Sequence, residues 1–161
     1  SGPQREQLSV PTRRSSDLDF CLQPPYHLQR GKQSSDRALA VIFEQGNCHA
    51  CELLHSGPLM QDEILGEIKK LDVVQLNLFD DTGVVTPDGK KTTARQWGKD
   101  LGLFYTPTIV LFSPRGKEIM RVDSVVQFYR LWGVLDYVNK RIYDRGIDYQ
   151  GWRLQQRETI E

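Results

Sequence analysis

The stretch Cys48-His49-Ala50-Cys51 stands where a continuous apolar run, Ala38 to Phe43, gives way to a helical segment. That junction limits the possible folds more than any other feature. A run without polar alternation, bounded by Asp36-Arg37 and Gly46-Asn47, predicts a strand buried on both faces of a sheet. Cysteines three apart at a helix start can close a small ring without moving the backbone. The chain has 161 residues and only three cysteines, too few for a disulfide scaffold. The odd count leaves one, Cys21, outside any such ring.

Other elements follow from spacing. Leu71 to Phe79 and Thr108 to Phe112 read as further strands, and Ser113-Pro114-Arg115-Gly116 as a tight turn answered by Lys117 to Val122. Ile64, Leu65, Ile68 and Leu71 fall on one helical face, as do Ala94, Trp97 and Leu101, with Gly102 as terminator. Val125 to Tyr143 is the last long helical region, with Ser124 at the expected N-cap. Gly57-Pro58 is expected to end the helix that follows the cysteines. Asp80 to Lys91 reads as an exposed loop. The order strand, helix, strand, helix, strand, strand, helix predicts an α/β layer, with a parallel pair joined to an antiparallel hairpin.

Residues 1–37 hold four of the eight prolines and no helical or strand periodicity. They read as a disordered or loosely packed N-terminal arm, with 1–18 a candidate cloning remnant or artefact. The domain is expected over 38–143, and 144–161 as a C-terminal extension ending in a short helix. Twenty-one Lys+Arg balance twenty-one Asp+Glu, which argues against a polyanion binder such as a nucleic-acid-binding protein. With a mean hydropathy of −0.50 and no long apolar run, no membrane span is expected. No cofactor is called for, and a monomer is expected.

The chemistry concentrates at Cys48 and Cys51. At a helix start Cys48 lies beside unpaired backbone N–H groups and the positive end of the helix dipole, both of which favour its thiolate. A hydrogen-bonding His49 would favour it further. Such settings bring a cysteine pKa from ~8.5 to between ~3.5 and ~7.5. Cys51, one turn in and shielded, is then the resolving thiol, and Ala50 lies between the two. A metal site drawing on Cys48, Cys51 and His55 is the weaker alternative, since no second ligand pair exists elsewhere. A purely structural disulfide is another, but so small a loop stabilises weakly. Covalent haem attachment requires C-x-x-C-H, and Glu52 in the place of that histidine argues against it.

Tyr105-Thr106-Pro107-Thr108 precedes the third strand, a position where proline is tolerated and an X-Pro bond can be cis. Taken with the strand–CxxC–helix unit, residues 38–140 resemble the thioredoxin fold: a central mixed sheet flanked by helices. The resemblance implies that Thr106 and Pro107 face the cysteines, with the Thr106 backbone pairing with a bound substrate chain. Closer still, Phe43-Glu44-Gln45, Leu54-His55, Val134 to Val138 and Tyr149-Gln150-Gly151-Trp152 resemble the SoxW-type periplasmic thioredoxins of bacteria. That likeness implies an exported thiol–disulfide oxidoreductase acting on protein thiols and disulfides, recharged by an upstream thiol donor. The alternative from another class is a non-catalytic thioredoxin-fold module that binds an extended strand.

Departures from the family pattern matter. The usual tryptophan before the motif is Asn47, and the proline between the cysteines is absent. The family's buried aspartate, which assists deprotonation of the resolving cysteine, falls on Ile42. Glu44 is the nearest carboxylate on the same strand face that could replace it. Potentials in this architecture span ~−270 to ~−120 mV, about 7 kcal/mol for two electrons. His49 pushes toward the oxidising end, yet the dipeptide differs from the Pro-His of strong oxidants. The expectation is an intermediate potential and a reductant role.

Overall fold

The computed structural model describes residues 18–31, 37–123 and 128–160. Strand β1 (Tyr26–His27) is followed by β2 (Leu39–Glu44), α1 (His49–Ser56), α2 (Asp62–Ile68) and β3 (Asp72–Asn77). Next come β4 (Gly83–Val85), β5 (Lys91–Thr93), α3 (Ala94–Asp100), β6 (Thr108–Phe112) and β7 (Glu118–Asp123). The helices α4 (Phe128–Asn139) and α5 (Tyr149–Ile160) close the chain.

The main sheet has the order β3-β2-β6-β7. β2 pairs in parallel with β3 and antiparallel with β6, which forms the hairpin with β7. The continuous apolar run now has its reason. Ala40 and Ile42 face one core, with Leu54, Ile64, Ile68, Leu131, Val134 and Val138. Leu39, Val41 and Phe43 face a second, with Val74, Leu76, Ala94, Trp97 and Val110. Trp97 anchors that second core edge-on to Phe43 and stacked on Phe112, with ring centroids 5.4 and 5.8 Å away. Each such pair contributes about 0.5–1.5 kcal/mol beyond its buried area.

Three expectations are corrected. Asp80–Lys91 is not simply a loop: β4 and β5 pair antiparallel at its ends, and β4 also pairs in parallel with β1. Strands of two or three residues are too short to show alternation, so only the partner strands make them visible. The N-terminal stretch is part of the folded body over 18–31. Leu28 is buried in the second core, Leu18, Phe20 and Cys21 pack on the first, and the Arg30 guanidinium pairs with Asp72 at 2.8 Å. Leu22 N–H donates to Val73 O on the edge strand β3 at 2.8 Å. The rest of the expected arm, residues 1–17 and 32–36, lies outside the described residues, as does Ser124.

The third correction concerns the last helical region. α4 ends at Asn139, and Arg141 takes a left-handed backbone (φ 55°) before a 3-10 turn over Ile142–Arg145. Tyr137, Tyr143, Tyr149 and Trp152 then cluster to seat α5 on the core, and the Tyr137 hydroxyl donates to Ile147 O at 2.6 Å. Among the described residues, no helix is long and apolar enough to cross a membrane.

Candidate active site

β2 ends at Glu44, and the chain turns through Gln45, Gly46 and Asn47 into α1. Asn47 holds a left-handed backbone (φ 52°), which asparagine tolerates better than most residues. Cys48 is the N-cap of α1. Its Sγ accepts the Cys51 N–H at 3.1 Å, satisfying one of the donors that every helix start leaves open. Cys48 and Cys51 are joined as a disulfide, with Cα atoms 5.2 Å apart, and both are buried. α1 ends at Ser56, and Pro58 opens a short 3-10 turn, as Gly57-Pro58 led us to expect.

The pairing of Phe43 with Thr108 brings the start of β6 to the same end of the sheet. Pro107 and Thr106 therefore lie just beyond that pair, over the disulfide. The Thr106–Pro107 bond is cis. Cys48 Sγ lies 3.5 Å from Thr106 Oγ1 and 3.8 Å from Thr106 O. Thr108 Oγ1 donates to Tyr105 O at 2.6 Å, which holds the bend. Immediately before it, Phe104 and Tyr105 are 85% and 67% exposed, a large apolar surface at the rim of the disulfide.

The supporting residues divide. Glu44 is buried (6% exposed), not a solvated strand end. Strand parity turns it to the α1 side with Ile42, where one carboxylate oxygen accepts from His55 Nε2 and the other from Gln75 Nε2. Leu18 N–H donates to the Gln75 side-chain amide oxygen Oε1 at 3.2 Å. A buried carboxylate is tolerable only with its lone pairs met, and here both oxygens have donors. His49 differs from expectation. Its side chain is 83% exposed and turned toward Glu52, with 3.8 Å between His49 Nδ1 and Glu52 Oε2. Position 49 begins the first turn on the outer face of α1, so its ring is directed to water rather than to Cys48. Ala50 is half-buried beside it.

The sequence could not supply a partner for His55. The signal is visible only with the fold in hand: His55 follows Cys51 by one helical turn, and Gln75 lies opposite β2 in the parallel pairing with β3. Among the described residues no cluster of three or more His, Cys, Asp or Glu could hold a metal, which removes support from a Cys48/Cys51/His55 site. Cys21 takes no part in the disulfide, and it is half-buried on the core rather than stranded.

Residues 26–139 match the family model for the thioredoxin-like domain. The chain belongs to that family. Two solved structures show the same fold. A thioredoxin-fold protein from Helicobacter pylori is 18% identical, with a TM-score of 0.61 over 73% of this chain and 76% of that one. The oxidised C-terminal domain of DsbD from Neisseria meningitidis is 16% identical, with a TM-score of 0.51 over 64% of this chain and 81% of that one. No curated protein matches the sequence. A thioredoxin-like domain carrying a CxxC pair at disulfide distance supports thiol–disulfide chemistry at Cys48 and Cys51.

Proposed function

We propose that this thioredoxin-like protein is a thiol–disulfide oxidoreductase that reduces disulfides in other proteins. The observation that carries the reading is the N-cap position of Cys48, bonded to Cys51 and receiving its N–H. In the dithiol the same N–H stabilises a Cys48 thiolate, helped by the positive end of α1. Cys48 attacks a substrate disulfide, releasing one substrate thiolate and forming a mixed disulfide. Cys51 then attacks the Cys48 sulfur, closing the internal disulfide and releasing the second substrate thiolate. Thr106 and Pro107 are the residues against which an extended substrate segment would lie, and the exposed Phe104 and Tyr105 suit an apolar protein partner. Glu44 takes the supporting role of the carboxylate absent at position 42.

The reductant direction gains support from His49. With its ring in solvent, it offers the Cys48 thiolate no direct hydrogen bond, so the dithiol lacks one source of stabilisation that would make the disulfide more oxidising. We expect a potential in the lower half of the range from ~−270 to ~−120 mV, measured against glutathione. A SoxW-like role in an exported compartment, as a monomer recharged by an upstream thiol donor, completes the reading. It draws on the sequence resemblance of Glu44, His55 and the C-terminal residues.

Dithiothreitol-driven insulin reduction tests the activity. Wild type should precipitate insulin chains, Cys48→Ser should fall to background, and Cys51→Ser should stall at a mixed disulfide that mass spectrometry detects. Equal rates in all three would overturn the proposal in favour of a strand-binding module without turnover.

A further inference from the structure

The buried cluster beside α1 points to a role for a residue to which neither the CxxC motif nor the resemblance assigns one. Cys51 and His55 are four apart on α1 and so lie one above the other on a single face, with Cβ atoms about 5–6 Å apart. Cys51 is buried and the His55 side chain is only 14% exposed, so this face is turned inward. The imidazole donates from Nε2 to Glu44, whose second oxygen is held by Gln75, itself fixed by the Leu18 N–H. A buried thiol, an imidazole one helical turn along the same face and a carboxylate orienting that imidazole are the components by which buried histidines accept protons.

We propose that His55, oriented by Glu44, is the proton acceptor for Cys51 during resolution, a deepening that rests on the oxidoreductase reading above. With Nε2–H committed to the carboxylate, the other ring nitrogen is the one that takes the proton. The step balances as follows. Cys51 gives its thiol proton to the imidazole, and the resulting imidazolium is stabilised by the Glu44 carboxylate. The Cys51 thiolate attacks Cys48 Sγ, the new Cys48–Cys51 bond forms, and the bond from Cys48 to the substrate sulfur breaks. The substrate sulfur leaves as a thiolate with the electron pair and is protonated from water. Two cysteines are oxidised and the substrate disulfide is reduced.

Among the described residues, the disulfide and the hydrogen bonds of this cluster join the titratable groups Cys48, Cys51 and His55 from α1 and Glu44 from β2. β3 contributes the neutral Gln75, the Thr106 loop a hydroxyl and a carbonyl, and the N-terminal segment a backbone N–H. His49 and Glu52 belong to the outer face of α1, 83% and 79% exposed.

Stopped-flow reaction of the reduced protein with one equivalent of 5,5′-dithiobis(2-nitrobenzoate), in a Cys21→Ser background, separates the steps. Cys48 attack releases the first thionitrobenzoate, and Cys51 resolution releases the second. In wild type the second phase should gain rate with rising pH beyond what the thiol's own titration supplies. In His55→Gln it should slow by at least about tenfold at neutral pH and follow only the thiol's own titration, while the first phase keeps its rate. Glu44→Gln preserves shape and hydrogen bonding but cannot stabilise an imidazolium, so it should show the same loss even if His55→Gln folds poorly. An unchanged second-phase pH profile in either folded variant would overturn the role of His55. Equal slowing of both phases would also overturn it, as a general structural effect. Absence of the first phase in wild type would instead sink the oxidoreductase reading.

Discussion

Glu44 ends a strand whose other residues are all apolar, and its own neighbours in sequence, Gln45 and Gly46, are exposed. By composition alone it could as well have faced water. Its burial is decided by strand parity and by two donors that arrive from α1 and β3. Cys48 and Cys51 were legible because their chemistry is local: a helix start and a three-residue spacing are both written in consecutive residues. His55 was not, because its partner is eleven positions away and across the interior. His49 shows the opposite case, since adjacency to a cysteine in sequence leaves its ring 83% exposed beside Glu52 in the oxidised protein. A prediction belongs at this scale. Gln75→Ala should leave one Glu44 oxygen buried without its donor and destabilise the oxidised protein by about 1–3 kcal/mol, read from the urea midpoint at neutral pH. No change in midpoint would mean that water reaches the carboxylate in its place.

Elements divide along the same line between local and distant causes. The strands β2, β3 and β6 were legible because each carries five or six residues of apolar pattern, and β7 because it answers the tight turn after β6. β4 and β5 were not, because they exist through pairing with each other and with β1. The end of α4 was overrun by several residues: apolar periodicity continues into Ile142 and Tyr143, but the left-handed turn at Arg141 redirects them into a separate aromatic cluster with α5. That cluster carries a pH signature. Burial chiefly holds the Tyr137 and Tyr143 hydroxyls above the ordinary value of 10.0, with nearby Asp148 and Asp144 adding to it. The folded protein therefore keeps protons that the unfolded chain gives up near pH 10. The stability is intact below pH 10 and falls as the pH rises through the folded-state values. The urea midpoint should hold up to pH 10 and drop above it, and Tyr137→Phe should flatten that drop. An equally steep fall in the phenylalanine variant would assign the alkaline loss to other groups.

At the scale of the whole molecule, two apolar cores on either side of one sheet place the ends of β2, β6 and α1 at a single pole. The disulfide and the Thr106 loop meet there because the strands are in register, not because they are near in sequence. That architecture was readable from the order of elements. The contribution of residues 18–31 was not, since they carry prolines, no periodicity, and a backbone whose hydrogen bonds go to β3 and to the β4 region. A truncation starting at Gln23 tests their weight at this scale. It removes the Leu22 bond to Val73 and the Leu18 bond to Gln75 together, and should lower the urea midpoint while making sedimentation depend on concentration.

The second of those effects follows from what Leu22 occupies. β3 borders the main sheet on one side, and a bordering strand offers its open carbonyls and amides to any chain that can lie beside it. With Leu22 seated on Val73, that border is guarded by the protein's own leading segment. Stripped of the guard, the same border becomes a template on which a second molecule can continue the sheet. What reads in sequence as an unremarkable approach to the domain thus covers the open edge of β3 at Val73.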